Sequence, residues 1–386
     1  MRVLHVTDGY LPRLGGIELH VHDLVSHQRA AGVDARVLTG PAAGPADPAD
    51  PSWVCRATAR RAVQLVAADR PDVVHVHFSI LSPFGTQVVR EVAALGIPLV
   101  ATMHSLWTGW GPLPHLAAAA LGRARRAAVW SAVSSPAAEA VGAVIGRDVP
   151  VHVVGNAVEP ELWRPDAAGL SVASVASVAS AASAACRPVT VVGVMRLTRT
   201  KRTLPLADVL LEARARLGAD VPLRAVVIGD GPQREPLEHR LARTGASSWV
   251  RLAGQLDRAA VRRELREADV FVAPAEREAF GIAALEARTA GLAVVASAAS
   301  GVADFVRHGR EGLLAADDGE MASAVARLAA DPALLGRIRA HNTLVAPEHD
   351  WPRAVAAAAE LYDRALGVPV PDHGSRHRGT GQVTAA

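Results

Sequence analysis

Short runs of apolar residues recur along the chain and are separated by amphipathic stretches. The first run, Val3 to Thr7, ends at a polar loop with glycine and proline, DGYLPRLGGIE. An amphipathic stretch with apolar residues at Leu19, Leu24 and Val25 follows, and then a second run, ARVLT. Runs of this length without polar alternation are typical of strands buried on both faces. The order strand, loop, helix, strand predicts the start of a doubly wound parallel sheet.

The same rhythm continues through the first half of the chain and then starts again in the second half. Further runs in the first half are PDVVHVH (71–77), IPLVATMH (97–104), AAVWSAVS (127–134) and VPVHVVGN (149–156). Those in the second half are PVTVVGVMRL (188–197), LRAVVIGDGP (223–232), WVRLAGQL (249–256), DVFVAPA (269–275) and LAVVAS (292–297). Helical stretches such as Pro205 to Leu217 and Ala259 to Ala268 lie between them. The pattern predicts an α/β protein with two Rossmann-like, doubly wound parallel sheets.

Two tandem sheets of this kind predict a cleft between them, because ligands bind at the carboxyl ends of parallel strands. The predicted units are a first domain (1–165), a low-complexity segment (166–187), a second domain (188–350), a final helix (351–367) and a tail (368–386). The low-complexity segment contains SVASVASVASAASAA, which has too few large side chains to pack a core. We therefore expect a mobile loop there and a disordered tail.

Composition and charge exclude several classes of protein. The 386 residues include 41 basic and 38 acidic ones, a formal charge of only +3, so no nucleic-acid partner is expected. Two cysteines, Cys55 and Cys186, are too few for a disulfide framework or a zinc cluster and favour a reducing cytoplasm. The N-terminal apolar run is broken at Asp8, which argues against a signal peptide.

Two glutamates in PAEREAFGIAALEARTAG (274–291) are candidate ligand-binding residues. Glu278 is expected in the loop after a strand, and Glu286 about one turn into the next helix. A carboxylate in such a loop is well placed to accept charge-assisted hydrogen bonds from vicinal hydroxyls. The alternative is a solvated acidic helix start, which the helix dipole also favours.

Arg196 and Lys201 follow a strand in VGVMRLTRTKR and form a second candidate site. Lys201 is the only lysine of the chain, since the other basic residues are all arginine. A compact ammonium in such a chain suggests a specific partner, and a diphosphate would use both a planar guanidinium and a point charge. The alternative is an ordinary exposed lysine.

Loops after other strands add weaker signals. Gly15 and Gly16 would let backbone amides approach an anion at a helix N-terminus, and the turn GDGP (229–232) could be only a connection. His104 closes a strand and is expected to point into the cleft, as are Thr102 or Ser105. A lone histidine at a strand end is about as often structural as functional.

Sequence spacing predicts no essential divalent cation. No Asp-x-Asp pair occurs, and no cluster of histidine, cysteine and carboxylate has metal-ligand spacing. The pairs His20/His22 and His75/His77 are each two residues apart, which is unsuitable for a shared site on a helix. No arrangement of serine or cysteine with histidine suggests a nucleophile.

Together these residues resemble the retaining GT-B glycosyltransferases of family 4 (group 1), which include phosphatidylinositol mannosyltransferases. The resemblance covers nearly the whole chain. It rests on PRLGGIELHVHDL (12–24), VGNAVEPELWRP (154–165), Arg196 with Lys201, the E-x7-E motif from Glu278 to Glu286, SAASGVADFVRHGREGLLA (297–315) and WPRAVAAAAELY (351–362). The last of these resembles the family's closing helix, which crosses back to the first domain.

The resemblance implies a hexosyltransferase that moves a sugar from a UDP- or GDP-linked donor to an acceptor hydroxyl, with retention, on the same face and without a metal or other cofactor. It implies that Arg196 and Lys201 hold the diphosphate, Glu278 the donor sugar and Glu286 the ribose. His104 would contact the donor sugar from the acceptor-side domain. The remaining implied donor-binding residues are Gly16, Phe280, Gly281 and Ile282.

Other functions stay open at this point. A sugar-nucleotide epimerase or hydrolase on the same fold, or a non-catalytic nucleotide-sugar-binding subunit, would use a similar cleft. The acceptor, whether a small molecule, a lipid-linked sugar or a glycan, is not identified by the sequence.

The segment LAAAALGRARRAAVW (116–130) raises the question of membrane contact. Arg123, Arg125 and Arg126 follow an apolar run that could lie on an anionic leaflet, at the inner face of the plasma membrane. A helix that leads into a buried strand explains the same residues, and we favour that interpretation.

Overall fold

The computed structural model describes residues 1–12, 15–41, 50–165 and 187–367. The tail and all but the last residue of the low-complexity segment lie outside the described residues. Among the described residues, no helix is both long and apolar enough to cross a membrane.

The first half forms a parallel sheet of seven strands. Its strands are β1 (Arg2–Thr7), β2 (Asp34–Thr39), β3 (Val54–Arg56), β4 (Val73–Phe78), β5 (Leu99–Met103), β6 (Val129–Ala132) and β7 (Val151–Val153). Its helices are α1 (Gly16–Ala30), α2 (Ala59–Asp69), α3 (Pro83–Ala94), α4 (Leu113–Leu121), α5 (Ala124–Ala127), α6 (Ser135–Ile145) and α7 (Pro160–Trp163). The strand order is β3-β2-β1-β4-β5-β6-β7. From β1 the sheet extends to one side through β2 and β3 and to the other side through β4 to β7, while all strands stay parallel.

The second half forms a parallel sheet of six strands. Its strands are β8 (Val189–Val194), β9 (Leu223–Ile228), β10 (Val250–Gly254), β11 (Val270–Ala273), β12 (Ala293–Ser297) and β13 (Gly312–Ala315). Its helices are α8 (Thr203–Ala215), α9 (Arg234–Arg243), α10 (Arg258–Glu267), α11 (Ile282–Thr289), α12 (Asp318–Ala330) and α13 (Pro332–Leu344), and α14 (Trp351–Leu366) ends the described chain. The order is β10-β9-β8-β11-β12-β13. The predicted fold class is confirmed.

The central strands are buried on both faces, as their apolar runs predict. Every residue of β4 and of β5 is buried, and helices cover both faces of each sheet. The sequence pattern missed β3 and β13, because strands of three and four residues carry too short an apolar run to stand out.

The last helix packs on the first sheet rather than on the second. Leu361 and Tyr362 of α14 form a buried cluster with Val3, Val73 and Val100. A bridge between Val158 and Asp350 brings the chain back to the first domain just before α14 begins. The first sheet is therefore covered partly by a helix from the far end of the chain.

Candidate active site

The carboxyl ends of the two sheets meet at one cleft with a volume of about 400 Å³. All the site residues predicted from the sequence line this cleft: Gly16, His104, Arg196, Lys201, Glu278, Phe280, Gly281, Ile282 and Glu286. They come from the loops after four different strands, β1, β5, β8 and β11, or from the first turns of the helices that follow β1 and β11. Loops after parallel strands gather at one edge of each sheet, which is why residues far apart in sequence come together here.

Two helix N-termini face each other across the cleft. Helix α1 begins at Gly16 and α11 at Ile282, and a Cβ on Gly16 would lie 3.8 Å from Cδ1 of Ile282. Gly281 has a φ of +92°, and a Cβ there would lie 2.6 Å from Val302, so only glycine fits. Because helix N-termini carry unpaired N–H groups and a positive dipole end, this part of the cleft suits an anion.

Lys201 and Glu278 form an ion pair inside the cleft. The Lys201 Nζ donates to Glu278 Oε2 at 2.6 Å, and both side chains remain partly exposed. The pair joins the loop after β8 to the loop after β11, two strands that are neighbours in the second sheet. Each charge therefore holds the other in place at the cleft surface.

Arg196 is exposed in the same cleft, and its side chain makes no hydrogen bond or ion pair with another described residue. Its loop is fixed by the backbone: Leu197 donates to the carbonyl of Asp230 at 2.9 Å, and Gln233 donates to the carbonyl of Leu197 at 2.8 Å. A Cβ on Gly229 would lie 1.8 Å from the carbonyl oxygen of Met195. The turn GDGP is thus a support for the Arg196 loop and does not itself line the cleft.

Glu286 lies deeper, beside a cation that bridges the two domains. Arg258 approaches Glu286 at 3.8 Å and Asp23 of the first domain at 3.3 Å, and its guanidinium lies over the ring of Trp163. Burial raises the pKa of Glu286 to about 7, although Arg258 opposes the shift and Asp23 adds to it. Glu286 is therefore a carboxyl whose charge changes near neutral pH.

Phe280 lies at the cleft wall with its ring turned into the protein. It is buried and packs against Phe305 and His349, with ring centroids 5.2 and 5.4 Å away. Its ring supports the turn between Glu278 and Gly281 from behind.

His104 and Ser105 line the cleft from the first domain, whereas Thr102 does not. The expectation that Thr102 could point into the cleft is wrong, because its hydroxyl is buried between His75 Nε2 and Ser131 Oγ, each at 2.6 Å. The Nε2 of His104 is 2.9 Å from Nδ1 of the buried His77. Burial lowers the pKa of His104 well below its usual value, so the ring is neutral at physiological pH.

Among the described residues, one group of side chains could hold a metal ion. Ring nitrogens of His5, His75 and His77 lie within 4.8 Å of one another, all buried. The spacing within the sequence concealed this group, since His5 joins the other two only through the pairing of β1 with β4. Both ring nitrogens of each of the three are hydrogen-bonded within the protein.

Comparison with known proteins matches both halves of the chain. The model of glycosyltransferase family 4 matches residues 14–162, and that of glycosyl transferases group 1 matches residues 187–331. Alpha-maltose-1-phosphate synthase of Mycolicibacterium smegmatis is 31% identical over 94% of this chain and 99% of its own length. The chain belongs to the family 4, group 1 glycosyltransferases. The expectation of a hexosyltransferase is confirmed with it.

Two other proteins are similar to this glycosyltransferase in sequence or structure. D-inositol 3-phosphate glycosyltransferase 2 of Catenulispora acidiphila is 37% identical over 175 residues, which are 42% of this chain and 41% of that protein. The crystal structure of HepE from Anabaena in complex with UDP-glucose superposes with a TM-score of 0.72 at 20% identity, covering 94% of this chain and 100% of that one. The structural similarity shows that the glycosyltransferase has the GT-B fold.

The cleft of this glycosyltransferase is also lined by four polar or charged residues that the sequence did not single out as site residues: His20, Asp23, Asn156 and Arg258. Nδ1 of His20 and Oδ1 of Asn156 are buried without a hydrogen-bond partner among the described residues. Asn156 stands at the end of an apolar run and could have been found by the same reasoning as His104. Asp23 and Arg258 carry no local signal, because their pairing depends on how the two domains meet.

Proposed function

We propose that the protein transfers a hexosyl group from a UDP- or GDP-linked donor to an acceptor hydroxyl, with retention at the anomeric carbon and without a metal ion. The observation that supports it is the single cleft that gathers Arg196, Lys201, Glu278 and Glu286 opposite the glycine loop of the first domain. A nucleoside-diphosphate sugar offers an anion, vicinal hydroxyls and a ribose, and these residues offer a partner of matching chemistry to each.

Arg196, Lys201 and the N-terminus of α1 are proposed to bind the diphosphate. The guanidinium can bind two phosphate oxygens side by side, and the ammonium supplies a compact charge. When donor binds, a phosphate oxygen would share Lys201 with Glu278, whose second oxygen is then available to sugar hydroxyls. These groups do what a divalent cation does for leaving diphosphates in other enzymes: they stabilise charge that grows as the bond breaks.

The proposed step is a same-face substitution. The bond between the anomeric carbon and the diphosphate oxygen breaks, and its electron pair leaves with the diphosphate. The acceptor oxygen bonds to the same face of the carbon, and the acceptor proton passes to the departing phosphate oxygen. The carboxylates lining the cleft in the described chain are Asp23, Glu278 and Glu286, and each lies beside a cation. None is thus presented as a bare nucleophile, which favours this route over a glycosyl-enzyme intermediate.

A donor screen tests the proposed function. We expect UDP- or GDP-hexose to be consumed rapidly only when an acceptor is present, with an anomeric product of the donor's own configuration and with full turnover in EDTA. Acceptors to include are D-inositol 3-phosphate and glucose with and without phosphate, in view of the names of the relatives. Rapid consumption of donor alone would indicate an epimerase or hydrolase. Nucleotide binding without turnover would indicate a binding subunit, and inactivation by EDTA that Mg²⁺ reverses would contradict metal independence.

Glu286 provides a prediction about pH. Because its pKa is about 7, the carboxyl is mostly ionised at pH 8 and mostly protonated at pH 6 in the free protein. The ionised form is the better acceptor for ribose hydroxyls. We therefore expect Glu286→Gln, which mimics the protonated form, to weaken nucleoside diphosphate binding at pH 8. At pH 6 the factor by which it raises the dissociation constant should be roughly five- to tenfold smaller.

Isothermal titration of both proteins at pH 6 and pH 8 measures this effect. At each pH, the relevant quantity is the dissociation constant of Glu286→Gln divided by that of the wild type, since phosphate protonation affects both proteins equally. An equal ratio at the two pH values would show that the charge of Glu286 does not contribute to binding.

A peripheral contact with an anionic membrane is proposed as a second property. The segment does lead into the buried strand β6, but Leu116 of α4 is 61% exposed. Leu81, which lines a surface groove together with Ala117 and Ala120 of α4, is 60% exposed. Arg123 and Arg126 are exposed as well, although Arg126 pairs with Asp148 at 3.0 Å. Apolar side chains next to cations are suited to an anionic lipid surface.

Liposome co-sedimentation tests this contact. We expect binding to vesicles that contain anionic lipid and loss of binding when Arg123, Arg125 and Arg126 are changed to serine. Equal sedimentation of the two proteins, or none with the wild type, would leave α4 as a helix of the fold only.

A further inference from the structure

A continuous chain of hydrogen bonds joins His104 in the cleft to the last helix of the protein. From His104 it passes through His77 to His5, each contact being 2.9 Å, and from His5 to Oε1 of Gln28 at 2.7 Å. Nε2 of Gln28 then donates to the hydroxyl of Tyr362 at 2.8 Å. Apart from His104 itself, which is 8% exposed, these side chains are at most 1% exposed.

The chain continues beyond Tyr362 into the neighbouring strands. The Tyr362 hydroxyl is 3.0 Å from Nδ1 of His75, and Nε2 of His75 is 2.6 Å from the hydroxyl of Thr102. Thr102 ends the chain on Ser131 at 2.6 Å. A buried group of this kind is stable because every polar side-chain atom between Nε2 of His104 and the hydroxyl of Thr102 has a partner.

The amide of Gln28 gives this chain a direction. Its Oε1 can only accept, so the proton on His5 must be on Nε2. Burial lowers the pKa of His5 to about 4, so the ring is neutral and its Nδ1 is bare. Nδ1 of His5 therefore accepts from Nε2–H of His77.

The same reasoning reaches the cleft. Burial lowers the pKa of His77 well below its usual value, so this ring is neutral too, and its bare Nδ1 accepts from Nε2–H of His104. The proton of the neutral His104 is then on Nε2, and Nδ1 carries a lone pair. That nitrogen makes no hydrogen bond to a described residue and is not among the polar atoms sealed from solvent. His104 borders the cleft, so its accessible nitrogen is a hydrogen-bond acceptor there.

On the other side of Gln28 the direction is the same. The amide Nε2 donates to the Tyr362 oxygen, which leaves the Tyr362 hydroxyl proton for Nδ1 of His75. His75 in turn donates from Nε2 to Thr102. All donors along the chain point away from the cleft, with Gln28 and Tyr362 at its middle.

We propose that Gln28 and Tyr362 are positioning residues that hold His104 in the Nε2–H tautomer, so that its Nδ1 accepts a hydrogen bond from a hydroxyl of the bound sugar. This inference rests on the proposed function for the identity of the ligand, but the tautomer itself is a property of the free protein. A ring with the opposite tautomer would present N–H to the cleft and would discriminate differently among sugar hydroxyls, which can both donate and accept.

Nitrogen NMR of protein labelled with ¹⁵N-histidine tests the proposal directly, because bare and protonated ring nitrogens differ in chemical shift. The signal of His104 is assigned by its loss in His104→Ala. In the wild type we expect a bare Nδ1 and a protonated Nε2. In Gln28→Leu, and to a smaller extent in Tyr362→Phe, we expect a mixture of the two tautomers.

Activity measurements on the same proteins complete the test. Gln28→Leu is expected to lower kcat about tenfold, as loss of a histidine-orienting partner does in other enzymes. Gln64→Leu, at an exposed position on α2, is the matched control and should change neither kcat nor the His104 signal. Tyr362→Phe removes only a hydroxyl, so it keeps the test valid if Gln28→Leu does not fold.

Two results would overturn the proposal: a protonated Nδ1 on His104 in the wild type, or His104 signals that are unchanged in both variants. If the wild type has the expected tautomer but transfers no sugar from any donor, the proposed function fails while the positioning of His104 by Gln28 stands.

Discussion

Lys201→Ala is expected to lower kcat by about 10²–10³-fold while leaving the protein folded. Removing one preorganised charge from a developing anion costs on the order of 3–4 kcal/mol of transition-state stabilisation. The side chain is partly exposed at the cleft surface, so its loss leaves no cavity in the core. Steady-state kinetics with saturating donor and acceptor measures the change, and thermal unfolding verifies the fold.

The ion pair with Glu278 makes a double-mutant cycle the decisive control for this prediction. If Lys201 binds the diphosphate, Lys201→Ala should still lower kcat at least tenfold when Glu278 is already Gln. If Lys201 only holds Glu278 in place, the second substitution should add nothing. A further loss of kcat in the double variant would thus indicate contact with the diphosphate. No further loss would indicate that Lys201 acts only through Glu278.

Arg196→Ala is expected to lower kcat about 10²-fold and to weaken binding of the nucleoside diphosphate. Among the described residues, no side chain pairs with Arg196, so the substitution leaves no protein group without its partner. The effect should therefore come only from the lost contact with the ligand. Arg196→Lys should recover only a small part of the activity, because an ammonium does not reproduce a bidentate contact. Titration with the nucleoside diphosphate and with the matching nucleoside distinguishes phosphate contacts from general loss of affinity.

Arg199→Ala is the matched control, since this arginine lies on the same loop, is exposed and does not line the cleft. Arg199→Ala should bind the nucleoside diphosphate with the affinity of the wild type and should have the same kcat. Equal losses for the nucleoside and its diphosphate in Arg196→Ala would contradict a role in phosphate binding.

The fold class could be predicted from sequence because parallel strands buried on both faces leave uninterrupted apolar runs. The run from Val73 to Phe78 is one of these, and it forms a fully buried strand. Strand order is different, since it depends on which runs lie side by side. Nothing local in Val54–Arg56 or Gly312–Ala315 marks them as the outermost strands of their sheets.

Part of the candidate site could also be predicted, because functional residues in such folds lie at the carboxyl ends of parallel strands. Arg196 and Glu278 each come after a predicted strand, and the ends of parallel strands meet, so their gathering in one cleft could be expected. The contacts of Arg258 could not, because they join the second domain to Asp23 of the first. The hydrogen-bond chain was hidden for another reason: Gln28 and Tyr362 are 334 residues apart, and each looks like an ordinary helix residue.

The position of Tyr362 has a consequence for the order in which the protein is made. The helices and strands of the first half end at Trp163, yet its buried polar groups are complete only when a tyrosine about 200 residues later has left the ribosome. At roughly 5–20 residues per second, synthesis of that stretch takes on the order of 10–40 s. During this time Gln28 and His75 of the newly made N-terminal half lack the tyrosine hydroxyl that both contact in the finished protein. That half should therefore remain sensitive to protease and a target for chaperones until the chain is finished.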